Sequence, residues 1–372
     1  MARRTCMSWY GLYPKVTIHD PDLAKEVLSN KFGHFEKLKF PPLSRLIAAD
    51  LAEHEGEKWV KHRRILNPAF HLEKLKLMLP ALSTCCEELV NRWTRSLGSD
   101  GTYELDVFPE FQRLTGDAIS RTAFGSNYLE GARVFQLQSE QIERMVAGAM
   151  KIVLPGYLSL PSKNNRMMHQ INSEIESILH GLIRKRMQAM QEGENTKNDV
   201  LGLMLESNMR TSGDNGQSIS GMTIKEVVTM ILYEVLRLYS PAVAFFRKTY
   251  KEIKIGSITY PAGVLIELPL LLMNHDPDIW GRDVHEFKPE RFTNGISQAS
   301  KNPGAFLPFS WGPRICIAQQ FALLEAKVPF CMILQSFKFE LATSYTHVVD
   351  NIRLMRPMHG AQINLRWDSD FV

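Results

Sequence analysis

The chain has 372 residues, 44% of them hydrophobic and 23% charged, which excludes a disordered, collagen-like or disulfide-scaffold protein and leaves room for a large core. Its 44 Lys and Arg against 40 Asp and Glu give a formal charge of +4, too mild and too dispersed to point to nucleic acid. Five cysteines, Cys6, Cys85, Cys86, Cys316 and Cys331, form no CxxC pair and no zinc-type spacing, so a reducing compartment suits them.

The first residues carry Arg3 and Arg4 but no apolar run behind them, hence no signal peptide. The most apolar window, Val264 to Met273, is interrupted by Glu267 and Pro269 and is too short to cross a bilayer. Val16-Thr17-Ile18 reads as a short strand. Asp20-Pro21 then supplies an N-cap and a proline at the first helical position, leading into Leu23 to Leu28. From Trp59 onwards helical patterns dominate. Met168, Ile171, Ile175, Ile178 and Leu182 recur at steps of three and four, one apolar stripe on a long helix whose other face carries Glu174, Glu176, Arg184 and Lys185.

Ser207 to Ser220 is too polar to pack and reads as an exposed loop. Met222 to Tyr239 is helical until Ser240-Pro241 stops it. Phe245 to Tyr250, Lys254 to Tyr260 and Val264 to Leu268 are β-rich and separated by Gly256 and Pro261-Ala262-Gly263, which predicts a small antiparallel sheet. A Pro- and Gly-rich irregular stretch, His275 to Gly312, leads to a helix from Ala318 to about Leu334, in which Pro329 should impose a kink. The expected class is mainly α with small antiparallel β-sheets, in one composite domain without repeats.

The segment richest in chemistry is Pro308-Phe309-Ser310-Trp311-Gly312-Pro313-Arg314-Ile315-Cys316-Ile317-Ala318. A lone cysteine is most often a small buried hydrophobe. Here it stands just before a helix, where the macrodipole and unpaired amides favour thiolate. Gly312 allows a tight turn and close approach to a flat ligand, Phe309 can shield the sulfur, and Arg314 adds a cation. A thiolate that donates electron density to haem iron needs such surroundings.

These residues carry a resemblance: Phe309-x-x-Gly312-x-Arg314-x-Cys316-x-Ala318 looks like the haem-binding loop of the cytochromes P450, with Ala318 where the pattern usually has Gly. Glu234-Val235-Leu236-Arg237 resembles the family's ExxR pair, whose spacing sets both side chains on one helix face. Pro289-Glu290-Arg291-Phe292 resembles the loop whose arginine joins that pair. Trp59-Val60-Lys61-His62-Arg63 resembles the helix that offers an indole NH and a guanidinium to a haem propionate. Arg247 matches a further propionate-binding arginine. Asn67-Pro68-Ala69-Phe70-His71 and Asn274-His275-Asp276-Pro277 extend the likeness over nearly the whole chain, towards the plant clan that includes secologanin synthase.

The resemblance implies a monooxygenase holding haem b on Cys316, with propionates on Trp59, Arg63, Arg247 and Arg314, and Glu234, Arg237 and Arg291 fixing the fold around the loop. It also implies electrons from NADPH through a reductase and a place on the cytosolic face of the endoplasmic reticulum membrane. The basic cluster Lys58, Lys61, His62, Arg63 and Arg64 would steer an acidic reductase domain. The substrate would be an apolar, terpenoid- or hormone-like small molecule, lined by parts of Leu38 to Glu55, Ala242 to Phe246 and Val348 to Asn351.

Two departures stand beside it. The chain begins almost at the first strand, without the membrane anchor and hinge expected of the family. Val227 also runs straight into Val228, where the family has a long distal helix and several more before ExxR, so parts 1–227 and 228–372 meet abruptly in a truncated domain. That helix carries an Ala/Gly-Gly-x-Asp/Glu-Thr-Thr signature whose acid and alcohol deliver protons during oxygen activation. No such grouping exists in the sequence, and Thr223 and Glu226 near the junction do not replace it. The catalytic acid–alcohol pair is therefore unassigned. The rival expectation is an inactive splice or gene-model fragment that still binds haem; a haem-free interaction protein is the third reading.

Overall fold

Two antiparallel strands open the chain in its computed structural model, β1 (Thr5–Tyr10) and β2 (Tyr13–Ile18), with Trp9 opposite Pro14 and Thr5 opposite Ile18. The described residues are 5–29, 33–37, 51, 54–124, 128–149, 162–191, 224–350 and 355–368. The loop expected at Ser207 to Ser220 lies outside them. Helix α1 (Pro21–Ser29) follows as its sequence predicts: Asp20 Oδ1 accepts from the amides of Asp22 and Leu23 at 2.9 and 3.1 Å, satisfying two donors of the first turn.

In chain order the remaining elements are β3 (Phe35–Glu36), α2 (Gly56–Leu66), α3 (Leu72–Lys76), α4 (Leu79–Ser96), β4 (Thr102–Asp106), α5 (Val107–Phe124), α6 (Tyr128–Ala149) and α7 (Lys163–Gln191). Next come α8 (Ile224–Leu238), β5 (Phe245–Thr249), β6 (Ile253–Ile255), β7 (Ile258–Tyr260), β8 (Leu265–Leu268), α9 (Leu270–Asn274) and α10 (Pro277–Trp280). The last are α11 (Gln319–Ser336), β9 (Phe337–Leu341), β10 (Val349–Asp350), β11 (Arg356–Pro357) and β12 (Gln362–Trp367).

Two compact units arise. The first comprises Met1–Leu38, Gln217–Cys331 and Leu341–Gln362. Its five-stranded sheet has the order β1-β2-β8-β5-β3. The pairs β5–β8 and β6–β7 are antiparallel, as the sequence predicts, but β8 also runs parallel to β2, with Lys15 opposite Leu265 and Thr17 opposite Glu267. Burial of Leu265, Ile266 and Leu268, on alternating faces, suits a central strand and makes this mixed pairing favourable. Glu267 secures the register by accepting from Thr17 at 2.6 Å and from Lys15 at 2.7 Å.

Under the sheet, Ala24, Val27 and Leu28 of α1 join Ile18, Ile266, Leu268 and Met273. An aromatic group of Tyr233, Trp280, Phe292 and Phe306, with ring centroids 5.1 to 6.2 Å apart, completes this core.

The second unit comprises Lys39–Gly216, Met332–Glu340 and Ile363–Val372. Its described residues form helices and the sheet β4-β12-β9. The stripe read from sequence is the packed face of α7: Met168, Ile171, Ile175 and Leu182 are buried, and Ile171 and Ile175 meet Val134 and Leu137 of α6. Glu174 faces outward to pair with Arg133 at 2.7 Å.

Candidate functional site

Glu234 and Arg237 lie one turn apart on α8, and both are fully buried. Arg237 Nη2 and Nε donate to the two carboxylate oxygens of Glu234 at 2.7 and 2.8 Å, a bidentate pair. The remaining guanidinium hydrogens go to carbonyls: Asn274 at 2.9 Å, Val284 at 2.8 Å and Glu286 at 3.3 Å. Trp280 lies under the guanidinium at 5.2 Å. Glu and Arg three apart are ordinarily a solvated surface pair. This pair instead ties α8 to the end of α9 and to the irregular segment after α10.

Arg291 stands beside them on a 3₁₀ turn, Pro289–Phe292, with Nε 3.6 Å from Glu234 Oε1. Its own hydrogen bonds run to the carbonyls of Trp280 and Asp283, both at 3.1 Å, and to Asp283 Oδ1 at 3.2 Å. Glu234 Oε1 also accepts from the Lys288 amide at 3.1 Å. The three residues expected to form one structural group are thus together, with Asp283 and Lys288 added. Lys288 and Arg291 hold the Asp283 carboxyl at about 2, below the ordinary carboxylate range.

The segment this cluster steadies leads to the cysteine loop. Backbone bonds fold the loop on itself: Ser310 N to Leu307 O and Ile315 N to Gly312 O, both 3.1 Å, and Cys316 N to Phe309 O at 2.9 Å. Gly312 has φ 70°, a left-handed conformation that favours glycine. A Cβ there would come within 2.6 Å of the Leu28 carbonyl oxygen at the end of α1, so its close approach in this structure is to protein backbone. Ser310 takes φ 69°, the one non-glycine left-handed residue among those described, and its Oγ is buried without a hydrogen bond. Arg314 is half-buried in the 3₁₀ turn Gly312–Arg314. Cys316 is exposed and unbridged, three residues before α11 begins.

In α11, Pro329 is buried without ending the helix; lacking an N–H, it leaves the Glu325 carbonyl without its usual i+4 donor. Glu325 is half-buried, with its Oε1 buried and unpartnered, and desolvation raises its carboxyl to about 7.

Arg247 lies on β5, its Nη1 donating to the Phe246 carbonyl at 2.9 Å. In the second unit, Trp59 is buried on α2, and Arg63, one turn later, places its guanidinium 5.9 Å from the indole centroid and donates to Asn67 Oδ1 at 2.7 Å. Lys58, Lys61 and Arg64 are exposed on the same helix. Of the pocket segments, Ala242 and Phe245 pack on the first unit's core, whereas 38–50, 52–53 and 351–354 lie outside the described residues, as do Thr223 and the side chain of Glu226.

Sequence reasoning missed Ser310, Asp283 and Glu325. Only Asp283 had a legible signal, its spacing from Lys288 and Arg291 along one irregular segment. Chemically, the first unit offers an accessible thiol on a pinned loop, Cys316, whereas its other exposed cysteine, Cys6, lies on the strand β1. Among the described residues no three His, Cys, Asp or Glu side chains gather as a metal-binding group. A single cysteine sulfur suits haem, whose macrocycle would itself supply the iron's remaining nitrogen donors, so Cys316 fits that group. No described helix is long and apolar enough to cross a membrane.

Comparison with known proteins agrees. The family model "Cytochrome P450" matches residues 3–231 and again 226–364. The chain is 45% identical to cytochrome P450 CYP72A616 of Paris polyphylla, covering 96% of this chain and 81% of that one. It is 42% identical to the 11-oxo-beta-amyrin 30-oxidase of Glycyrrhiza uralensis, covering 97% and 80%. Among solved structures, the retinoic acid-bound cyanobacterial CYP120A1 has a TM-score of 0.75 at 21% identity, covering 98% of this chain and 92% of that one. The cytochrome P450DA heme domain has 0.79 at 20%, covering 99% and 90%, and both share the fold. The alignment with CYP72A616 runs over 418 positions yet takes in 96% of a 372-residue chain, so about 60 positions have no counterpart here. The two family matches meet at 226–231, where Val227 is joined to Val228.

Proposed function

The chain belongs to the cytochrome P450 family, in the plant clan of its CYP72A relatives, and from that premise we propose a haem-thiolate monooxygenase acting on an apolar, terpenoid-type small molecule. Haem held by a cysteine thiolate supplies oxygen activation: one atom of O2 enters a C–H bond of the substrate, the other leaves as water, and NADPH provides the two electrons. The observation that carries the assignment is the accessible Cys316 on a loop whose backbone is already fixed.

Each residue has a distinct part. Cys316 provides the sulfur, and the hydrogen bond that its backbone N–H donates to the Phe309 carbonyl oxygen helps set where the sulfur stands. Arg314 and Arg247 would neutralise propionates as guanidinium donors. Trp59 and Arg63 are assigned the same part on sequence resemblance and on their shared helix. Glu234, Arg237 and Arg291 do no chemistry; they hold the segment before the loop. The exposed cations of α2 would meet the acidic face of a reductase, at the cytosolic side of the endoplasmic reticulum. The substrate class follows the amyrin oxidase relative. Incubation of the haem-loaded chain with NADPH, plant reductase and a panel of triterpenoids tests it, the expected product being one oxygen atom heavier than its parent.

A second reading has its own support: two family matches that meet at the Val227 junction, about 60 alignment positions of a relative without a counterpart in this chain, and the absence of any acid–alcohol signature from the sequence. On that reading the chain binds haem but yields little product. Proton delivery requires groups within hydrogen-bond reach, and their loss costs about 10² to 10⁴ in rate.

A further inference from the structure

Helix α1 presents two faces. Ala24, Val27 and Leu28 turn into the core, while Asp22, Lys25 and Ser29, at steps of three and four, follow another face. That second face runs along the cysteine loop and the segment leading to it. Asp22 Oδ2 accepts from Asn302 Nδ2 at 3.2 Å. The end of the Lys25 side chain fills the space that a Cβ on Gly304 would need, and its ammonium stands 4.7 Å from the centroid of the Trp311 indole. At the C-terminal end, a Cβ on Gly312 would lie 2.6 Å from Leu28 O and 3.0 Å from Ser29 Cα. Contacts at 302, 304, 311 and 312 therefore follow one helix face in order.

We propose that α1 is the rail on which the Cys316 loop is registered, with Lys25 and Gly312 as positioning residues for the thiolate. Gly312 sets the distance, because no side chain fits between it and the Leu28 carbonyl. Lys25 sets the lateral position by holding Trp311 through a cation–π contact, a part that arginine can also play. Neither residue reacts, and the role rests on Cys316 being the haem ligand.

Hydrogen exchange of the peptide covering Ser310, Ile315 and Cys316 tests it in the haem-free chain, and the carbon monoxide spectrum of the reduced haem-loaded chain tests it in the holoprotein. In Lys25→Met and in Trp311→Leu those amides are expected to exchange about three- to tenfold faster, and the double variant no faster than either single one. Lys25→Arg should restore protection. Gly312→Ala should loosen the loop further and convert the thiolate-type band to a thiol-type band. Unchanged exchange in both Lys25→Met and Trp311→Leu, or strictly additive effects, overturns the rail. A wild-type chain with no thiolate-type band overturns the haem assignment, and this role with it, whatever the exchange rates.

Discussion

Arg237 donates to both carboxylate oxygens of Glu234, at 2.7 and 2.8 Å, and neither side chain is exposed to solvent. Removing one partner strands a buried charge. Arg237→Met and Glu234→Leu are each expected to destabilise the fold by about 3–5 kcal/mol, read from urea midpoints at constant m-value. The double variant should not return to wild type, because the carbonyls of Asn274, Val284 and Glu286 also lose their donor. Full recovery in the double variant would show that those carbonyls contribute nothing.

Ser310 combines a left-handed backbone with an unpartnered buried hydroxyl. Glycine relieves both, against a larger entropy loss on folding. Ser310→Gly is expected to raise stability by about 1 kcal/mol or more. A lower thermal midpoint than wild type would contradict this.

Asp283 and Glu325 give opposite pH dependences. Asp283 is held at about 2 by Lys288 and Arg291, below its ordinary 3.8. Its contribution is therefore fully present above about 3.8 and is lost as pH falls toward 2. In Asp283→Asn the stability curve should be flatter than wild type between pH 4 and 2; curves of equal slope would remove the interaction from the account.

Burial raises Glu325 from 4.5 to about 7, so the folded chain holds this proton more tightly than the unfolded one. Stability contributed by the protonated carboxyl falls as pH rises from about 4.5 to 7. Glu325→Gln should match wild type at pH 4 and exceed it at pH 8 by at most about 3 kcal/mol. A variant less stable than wild type at pH 8 would mean that the carboxylate has a partner when ionised.

If the Val227–Val228 junction removes proton delivery, NADPH oxidation by the reconstituted chain should exceed product formation by about tenfold or more, with hydrogen peroxide making up the difference. Placing the distal-helix segment expected of the family between Val227 and Val228 should restore coupling. Tight coupling without the insert would show that other residues supply the protons.

Elements with strong local signals were legible in the sequence. The Asp20 cap, the Met168 to Leu182 stripe and the stop before Pro241 depend on neighbours a few residues away, and the structure has each of them. The parallel pairing of β8 with β2 was not legible, because it joins residues some 250 positions apart through backbone bonds that leave no periodic trace. At the site, motif spacing disclosed which residues matter near Cys316 but not what they touch. Gly312 illustrates this: its left-handed turn was foreseeable, whereas its contact with Leu28 arises only once α1 is folded.

Anaerobic reduction of the haem-loaded chain under carbon monoxide tests the central claim most directly. The wild type should show the absorption band of a thiolate-ligated ferrous carbonyl at stoichiometric haem, and Cys316→Ala should lose that band while its far-ultraviolet circular dichroism is unchanged. A wild type without the band, or a Cys316→Ala variant that keeps it, would contradict the assignment of Cys316 as the haem ligand.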